Sequence, residues 1–290
     1  MSNLQNSKKK VYYTEAWFKN CLKLLKNEVI MNDIENRIKY AKIFAKGAGK
    51  VLLKRFKKRK LVIEKKGDID LVTDADKKAE AHIIGSIFNK FPEDSILAEE
   101  SGEIAVKNSK YRWIIDPLDG TTNFAQKFYL FAVSIAIEGE NGIEGGVIYL
   151  PYFDEMYHAV KGGGAYLNDD EIKVSQKEKL INSVVATGFP YSKNENSDNN
   201  LTEHNKMITN CRDIRRAGSA AIDLVYTACG VWDGYWEKKL KPWDIAAGAL
   251  IVSEAGGIVK GLNGENFDYM SGDIVAGNET IVDLMLDVIK

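Results

Sequence analysis

Trp113-Ile114-Ile115-Asp116-Pro117-Leu118-Asp119-Gly120-Thr121-Thr122-Asn123-Phe124 decides how the rest of the chain is read. Its first three residues suit a strand covered on both faces, and Pro117, which lacks a backbone N–H, is expected to end the ladder. The chain is then expected to turn directly after Asp116. Two carboxylates at i and i+3 around such a turn can face one volume. Oxygen donors without His or Cys suit Mg2+, Ca2+ or Mn2+ rather than Zn2+. Gly120 lets the backbone approach an anion, and the hydroxyls and N–H groups of Thr121, Thr122 and Asn123 suit phosphate oxygens. The same residues also fit an acid-rich turn that caps a helix at Thr121 or Thr122.

Four further acidic segments bear on that choice. Ile96-Leu97-Ala98-Glu99-Glu100-Ser101 is a second apolar run stopping at paired carboxylates. Asp70-Leu71-Val72-Thr73-Asp74-Ala75-Asp76 opens a helix marked by Ala79, Ile83, Ile87 and Phe91, although Thr73 and Asp76 also fit a capping box. Pro242-Trp243-Asp244 puts proline in a first helical turn and an acid near the positive end of the helix. Trp232-Asp233-Gly234-Tyr235-Trp236-Glu237 ends an aromatic segment in a carboxylate.

Together these pieces resemble the inositol monophosphatase family, of the bacterial type, within the lithium-sensitive Mg2+-dependent phosphatases. The matching residues occur in family order: Lys65, Asp70 to Asp76, Glu99-Glu100-Ser101, Asp116 to Phe124, Gly218-Ser219-Ala220-Ala221, Trp236-Glu237 and Trp243-Asp244-Ile245-Ala246-Ala247-Gly248. The likeness runs from about Asn32 to the C-terminus. It implies a layered α-β-α-β-α sandwich of the inositol monophosphatase and fructose-bisphosphatase type, with subdomains at 31–181 and 182–290 and the metal site at their seam.

The resemblance also assigns roles. Glu99, Asp116 and the Leu118 carbonyl would hold one Mg2+, Asp116, Asp119 and Asp244 a second, and a third would bind beside Glu99. Two such cations about 3.5–4 Å apart clamp the attacking and leaving oxygens of an in-line displacement. Thr121 and Asp76 would orient and deprotonate the attacking water. The N–H groups of Gly120 and Thr121 would hold the phosphate, while Asp119, Gly218, Ser219, Ala220 and Glu237 would face the hydroxyl-bearing ring. Lys65 and Glu100 are further candidates. The implied substrate is inositol 1-phosphate or a similar polyol or sugar phosphate; fructose 1,6-bisphosphate, 3′-phosphoadenosine 5′-phosphate and NADP are sister alternatives. A homodimer is the implied assembly.

Composition is consistent with a folded enzyme. The 290 residues are 45% hydrophobic and 28% charged, enough for one large core or two smaller ones. No run approaches the apolar length of a membrane span, and the N-terminus lacks a secretory apolar segment, so a cytoplasmic location is expected. Cys21, Cys211 and Cys229 are unclustered and are expected to be free thiols; His82, His158 and His204 have no ligand spacing.

Periodicity gives the element order. Ile34, Ile38, Ala41, Ala45, Ala48, Leu52 and Phe56 mark a helix, preceded by a separate basic amphipathic helix around Phe18, Leu22, Leu25 and Val29 within an N-terminal extension at 1–30. Met31 is an alternative start. Strands are expected at 132–137, 146–150, 156–160, 184–187 and 274–276, and helices at 219–229, 243–255 and 280–289. Gly162-Gly163-Gly164 precedes no helix and reads as a turn rather than a nucleotide loop.

Charge is divided unevenly. Residues 1–66 carry 19 Lys/Arg against 5 Asp/Glu, a formal +14, and the rest carries 21 against 36, a formal −15. A Lys-rich solvated surface accounts for this, and it leaves open nucleic acid as a partner in an RNA-associated regulatory role. A complete set of mutually repelling carboxylates still argues for retained chemistry.

Overall fold

The computed structural model describes the backbone of residues 15–57, 63–65, 71–191, 194 and 198–290, and side chains from Asp33 onward except in the short strands at 63–65 and 71–73. The first helix, α1, is a single element, Glu15–Phe56, where two had been expected. Residues 30–34 contain neither Gly nor Pro, so nothing breaks the hydrogen-bond ladder between the two amphipathic patterns. The side chains of the extension's apolar face, and Cys21, lie outside the described residues.

A two-stranded ribbon, β1 (Ile63–Lys65) and β2 (Leu71–Thr73), leads into α2 (Asp74–Lys90). Ala75, Ala79, Ile83 and Ile87 pack this helix beside Ala41, Ala45, Ala48 and Leu52 of α1 in one apolar cluster. Both helices cover one face of an eight-stranded sheet made of β3 (Ser95–Ala98), β4 (Gly102–Ile104), β5 (Arg112–Asp119), β6 (Ala132–Gly139), β7 (Gly142–Leu150), β8 (Glu155–Val160), β9 (Ala165–Leu167) and β10 (Asp170–Glu171). Its order is β10-β9-β8-β7-β6-β5-β3-β4, and only the β3–β5 pair is parallel.

The opposite face buries α5 (Ala220–Ala228) and α6 (Pro242–Glu254), separated from β10 by β11 (Val184–Thr187), α4 (Leu201–Met207) and β12 (Asp213–Arg215) in the chain. A second sheet, ordered β12-β11-β13-β15-β14, lies beyond them; it adds β13 (Gly234–Glu237), β14 (Ile258–Lys260) and β15 (Ile274–Gly277). Its outer face carries α4 and α7 (Glu279–Ile289), sealed by Met207, Ile281, Val282, Met285 and Leu286. The result is the α-β-α-β-α sandwich. At about 25 cal/mol per Å² of apolar area, the fully buried Trp113, Trp236, Phe124 and Phe131 are among its largest contributors.

One expectation fails at the deciding stretch. β5 does not end at Asp116: Asp116 pairs with Ser134 and Asp119 with Ala132, so three steps on β5 face two on β6. This is a β-bulge. It absorbs Pro117 at a position that owes the ladder no N–H, and it turns Leu118 and Asp119 out of simple alternation.

Candidate active site

The bulge sets the geometry of the acidic basin. Asp116 is buried, and its Oδ1 accepts from the Leu118 N–H at 2.9 Å. Gly120 then takes φ +90°, a left-handed conformation that glycine adopts without strain, and becomes the N-cap of the short helix α3 (Thr121–Ala125). Thr121 is therefore the first helical residue and not the cap. Its hydroxyl donates to the Leu118 carbonyl at 3.1 Å.

Three other elements bring carboxylates to this point. Asp76, in the first turn of α2, is buried, and Glu99 and Glu100 follow β3 half-buried; one carboxylate oxygen from each lies within 4.8 Å of the others. Glu80, one turn after Asp76 on the same helix face, accepts from the Glu100 N–H at 2.9 Å and from the Ser101 hydroxyl, which fixes the turn carrying both glutamates. Asp244 sits in the first turn of α6 and accepts from the N–H of the N-cap, Lys241, at 2.7 Å. Ser134, the cross-strand partner of Asp116, donates to the Trp243 carbonyl at 3.1 Å and thereby docks that turn beside β5.

Electrostatics couples these acids to one another. Burial, followed by the charges of Glu99, Asp119, Asp244 and Asp76, pushes the Asp116 carboxyl well above its ordinary range. Asp244 is driven up by burial and then by Asp119 and Glu99, against its hydrogen bond from Lys241. Asp119 rises to about 6 through burial, opposed by hydrogen bonds from Ser219, Ala221 and Gly120. Such a set, all oxygen and short of cations, has the donor chemistry of a hard divalent-ion site, and Asp76, Glu99 and Glu100 are the acids whose ligand oxygens come together within 4.8 Å.

The second sheet supplies the opposite wall. Asp119 Oδ2 accepts from the Ser219 hydroxyl and the Ala221 N–H, both at 2.7 Å, so Asp119 seats the N-terminus of α5. Asn123 donates to the Leu130 and Ala217 carbonyls, each at 2.7 Å, and ties α3 to the strand leading into Gly218, Ser219 and Ala220. Glu237 ends β13, accepts from the Tyr235 hydroxyl at 2.8 Å, and is raised to about 7 by burial against that bond and the charge of Arg216. A Cβ on Gly188 would stand 2.2 Å from both Glu237 carboxylate oxygens, so only glycine leaves room for this acid.

The basin thus draws on α2, the β3 turn, β5, α3, α5, β13 and α6. Lys65 stands opposite Leu71 in the ribbon, with its side chain outside the described residues. The three histidines lie elsewhere: His158 stacks on Tyr166, His204 is tilted against Phe189, and the His82 ring fills the space beside Gly47. Cys211 and Cys229 are free thiols. Several participants had not been singled out from sequence. Glu80 could have been found, because an acid on the buried Asp76–Ala79–Ile83 face of α2 requires a partner. Asp223, alone in the apolar α5 and pushed well up by burial and by Glu237 and Asp119, carries the same signal. Gly188 and Asn200 gave no local sign.

This arrangement has close parallels. The family model for the inositol monophosphatase family matches residues 33–288. The chain belongs to that family. An inositol-1-monophosphatase of Mesorhizobium japonicum is 42% identical over 244 residues, covering 84% of this chain and 92% of that protein. A Nus factor SuhB of Escherichia coli is 42% identical over 243 residues, covering 83% and 91%. The structure of an inositol monophosphatase from Anabaena superposes with a TM-score of 0.81 at 39% identity, covering 89% of this chain and 96% of that one. Family members of both names therefore share this fold. Among the described residues no helix is long and apolar enough to cross a membrane.

Proposed function

We propose that the chain is a Mg2+-dependent phosphomonoesterase acting on inositol 1-phosphate or a similar polyol or sugar phosphate. The supporting observation is the convergence of Asp76, Glu99, Asp116, Asp119 and Asp244 beside a left-handed Gly120 and the hydroxyl of Thr121. Bound Mg2+ supplies Lewis acidity at the phosphoryl and leaving oxygens. Glu99, Asp116, the Leu118 carbonyl, Asp119 and Asp244 would hold the ions. Thr121 orients the attacking water through its hydroxyl, and Asp76 accepts the water's proton. The N–H groups of Gly120 and Thr121 receive phosphate oxygens at the start of α3. Ser219, the backbone of Gly218 and Ala220, and Glu237 meet the hydroxyls of the leaving alcohol. Phosphate release from inositol 1-phosphate, fructose 1,6-bisphosphate, 3′-phosphoadenosine 5′-phosphate and NADP, each with Mg2+ and with chelator, tests the reading. Activity that survives excess chelator would overturn it.

A second reading rests on the charge division and on a relative named as a Nus factor. The C-terminal end of α1 carries Lys50 and Lys54, Lys57 follows it, and its last residue Phe56 contacts the partly exposed Tyr129 and Tyr152, which stack at 4.1 Å, while Lys127 lies over the Phe56 ring. Cations interleaved with aromatic faces suit single-stranded RNA. Binding should weaken steeply with salt and survive Asp116→Asn; salt-independent retention or none would exclude it.

A further inference from the structure

The ends of three parallel strands form a feature that the assigned roles leave unused. In the second sheet β12, β11 and β13 run parallel, with Ala186 opposite Arg215 and Thr187 opposite Trp236. The register carries Arg216, Gly188 and Glu237 to the carboxyl edge of neighbouring strands, which is where open α/β sheets present ligand groups. Arg216 is exposed. Its neighbour Arg215 is paired with Asp213. Among the described residues the Arg216 guanidinium forms no ion pair, and it lies over the Phe189 ring, 5.9 Å from the centroid. His204 also contacts that ring, tilted, with centroids 5.6 Å apart. Phe189 follows the glycine on which Glu237 rests, so one short segment props both the acid and the cation.

Resting on the phosphatase reading above, we propose that Arg216 is a specificity-determining residue that binds a second phosphate on the leaving alcohol, so that bisphosphorylated polyols or sugars are preferred over their monophosphates. A neutral polyol gives this guanidinium nothing to bind: its hydroxyls are met by Ser219 and Glu237. An added phosphate accepts the two parallel N–H bonds that a guanidinium offers, and the placement of Arg216 over the Phe189 ring keeps it at this edge. Two strand spacings separate Arg216 from Glu237, about 9–10 Å, which is comparable with a phosphorylated six-membered ring. The charge of Arg216 already reaches Glu237, where it works against the burial that raises that acid.

The test measures kcat/KM for inositol 1-phosphate, inositol 1,4-bisphosphate and fructose 1,6-bisphosphate with Mg2+, in the wild type and in Arg216→Gln and Arg216→Lys. The bisphosphate-to-monophosphate ratio should exceed one in the wild type and fall about tenfold or more in Arg216→Gln, through KM, with Arg216→Lys in between. An unchanged ratio, or a wild type that turns over only the monophosphate, overturns the inference and leaves the phosphatase reading intact. No turnover of any of the three overturns both.

Discussion

Asp94 and Asp116 are 3% and 2% exposed at opposite ends of the same strand pair, and the protein treats them in opposite ways. At the start of β3, Asp94 receives two hydrogen bonds from the Arg37 guanidinium, at 2.9 and 3.0 Å, and a third from the Trp113 indole at 2.8 Å. Arg37 is in turn stacked over Tyr111, 3.8 Å from the ring centroid. Near the end of β5, Asp116 has one backbone donor and a ring of other acids. Burial alone therefore does not distinguish a structural acid from a functional one. The partners do: where only folding is served, a buried carboxylate is matched with a cation, and where the partner is to come from solution, like charges are gathered and left to repel.

The largest expected effect lies at the acidic end. Asp116→Asn should lower kcat by about 10²–10⁴, corresponding to several kcal/mol of lost charge stabilisation, while the metal-free protein melts no lower than the wild type because a repulsive charge is gone. Thr121→Ala should lower kcat on the same scale but keep the Mg2+ dependence. Steady-state kinetics over a Mg2+ titration, with melting curves, separates the two; an Asp116→Asn enzyme with normal turnover would dissolve the contrast.

The opposite end gives the mirror image. Arg37→Leu leaves Asp94 buried without its cation and should cost about 3–5 kcal/mol of stability. Turnover per folded molecule at low temperature should persist, since Arg37 is far from the basin. Denaturant unfolding measures the first and active-site-normalised rates the second.

A smaller effect links pH to the ion. Asp119 and Glu237, at about 6 and 7, are raised above their ordinary values by the fold, and burial pushes Asp116 and Asp244 well above theirs. A raised carboxyl contributes stability below its unfolded value, and that contribution is lost as pH climbs through the folded value. The basin of the metal-free protein should thus become costlier between about pH 4 and pH 7. Saturating Mg2+ should return on the order of 1–3 kcal/mol, more at pH 7.5 than at pH 5.5. Thermal scans at both pH values, with and without the ion, check the sign; an equal shift at both would mean that these carboxyls do not titrate together.

The smallest change is Gly188→Ala. The added methyl displaces the Glu237 carboxylate, so KM for the polyol phosphate should rise by about tenfold, with the Mg2+ requirement unaltered. A shift in Mg2+ requirement instead would place Glu237 with the ion rather than with the alcohol.

How much of this was legible follows the same division. Asp116, Asp119, Glu99, Asp76 and Asp244 each end or open a periodic segment, which made them candidates, and the family resemblance joined them into one set. The bulge was misread because a proline within a strand looks like a stop unless the partner strand's register is known. Arg37 and Asp94 are 57 residues apart, and Asn200, which is fully buried and bonds Thr187, Gly188 and the Trp236 indole, comes in a polar stretch of sequence with no apolar pattern to mark it. Partnerships of that range have no local signature. The continuous α1 shows the converse, since two recognisable patterns do not imply two elements when no breaker lies between them.

Asp119 also governs when the basin can come into being. Its charge reaches Asp244, and its bond to Ser219 closes a loop of 100 residues. Contacts of such separation form late, after each sheet has gathered its own hairpins. An ion that needs Asp116, Asp119 and Asp244 together has no complete cage in the collapsed chain, so Mg2+ should leave the refolding rate nearly unchanged and act by slowing the opening of the finished molecule. Under the proposed metal reading, the ion would be a lock turned after assembly, and the lifetime of the loaded molecule would be set by how often the two sheets part.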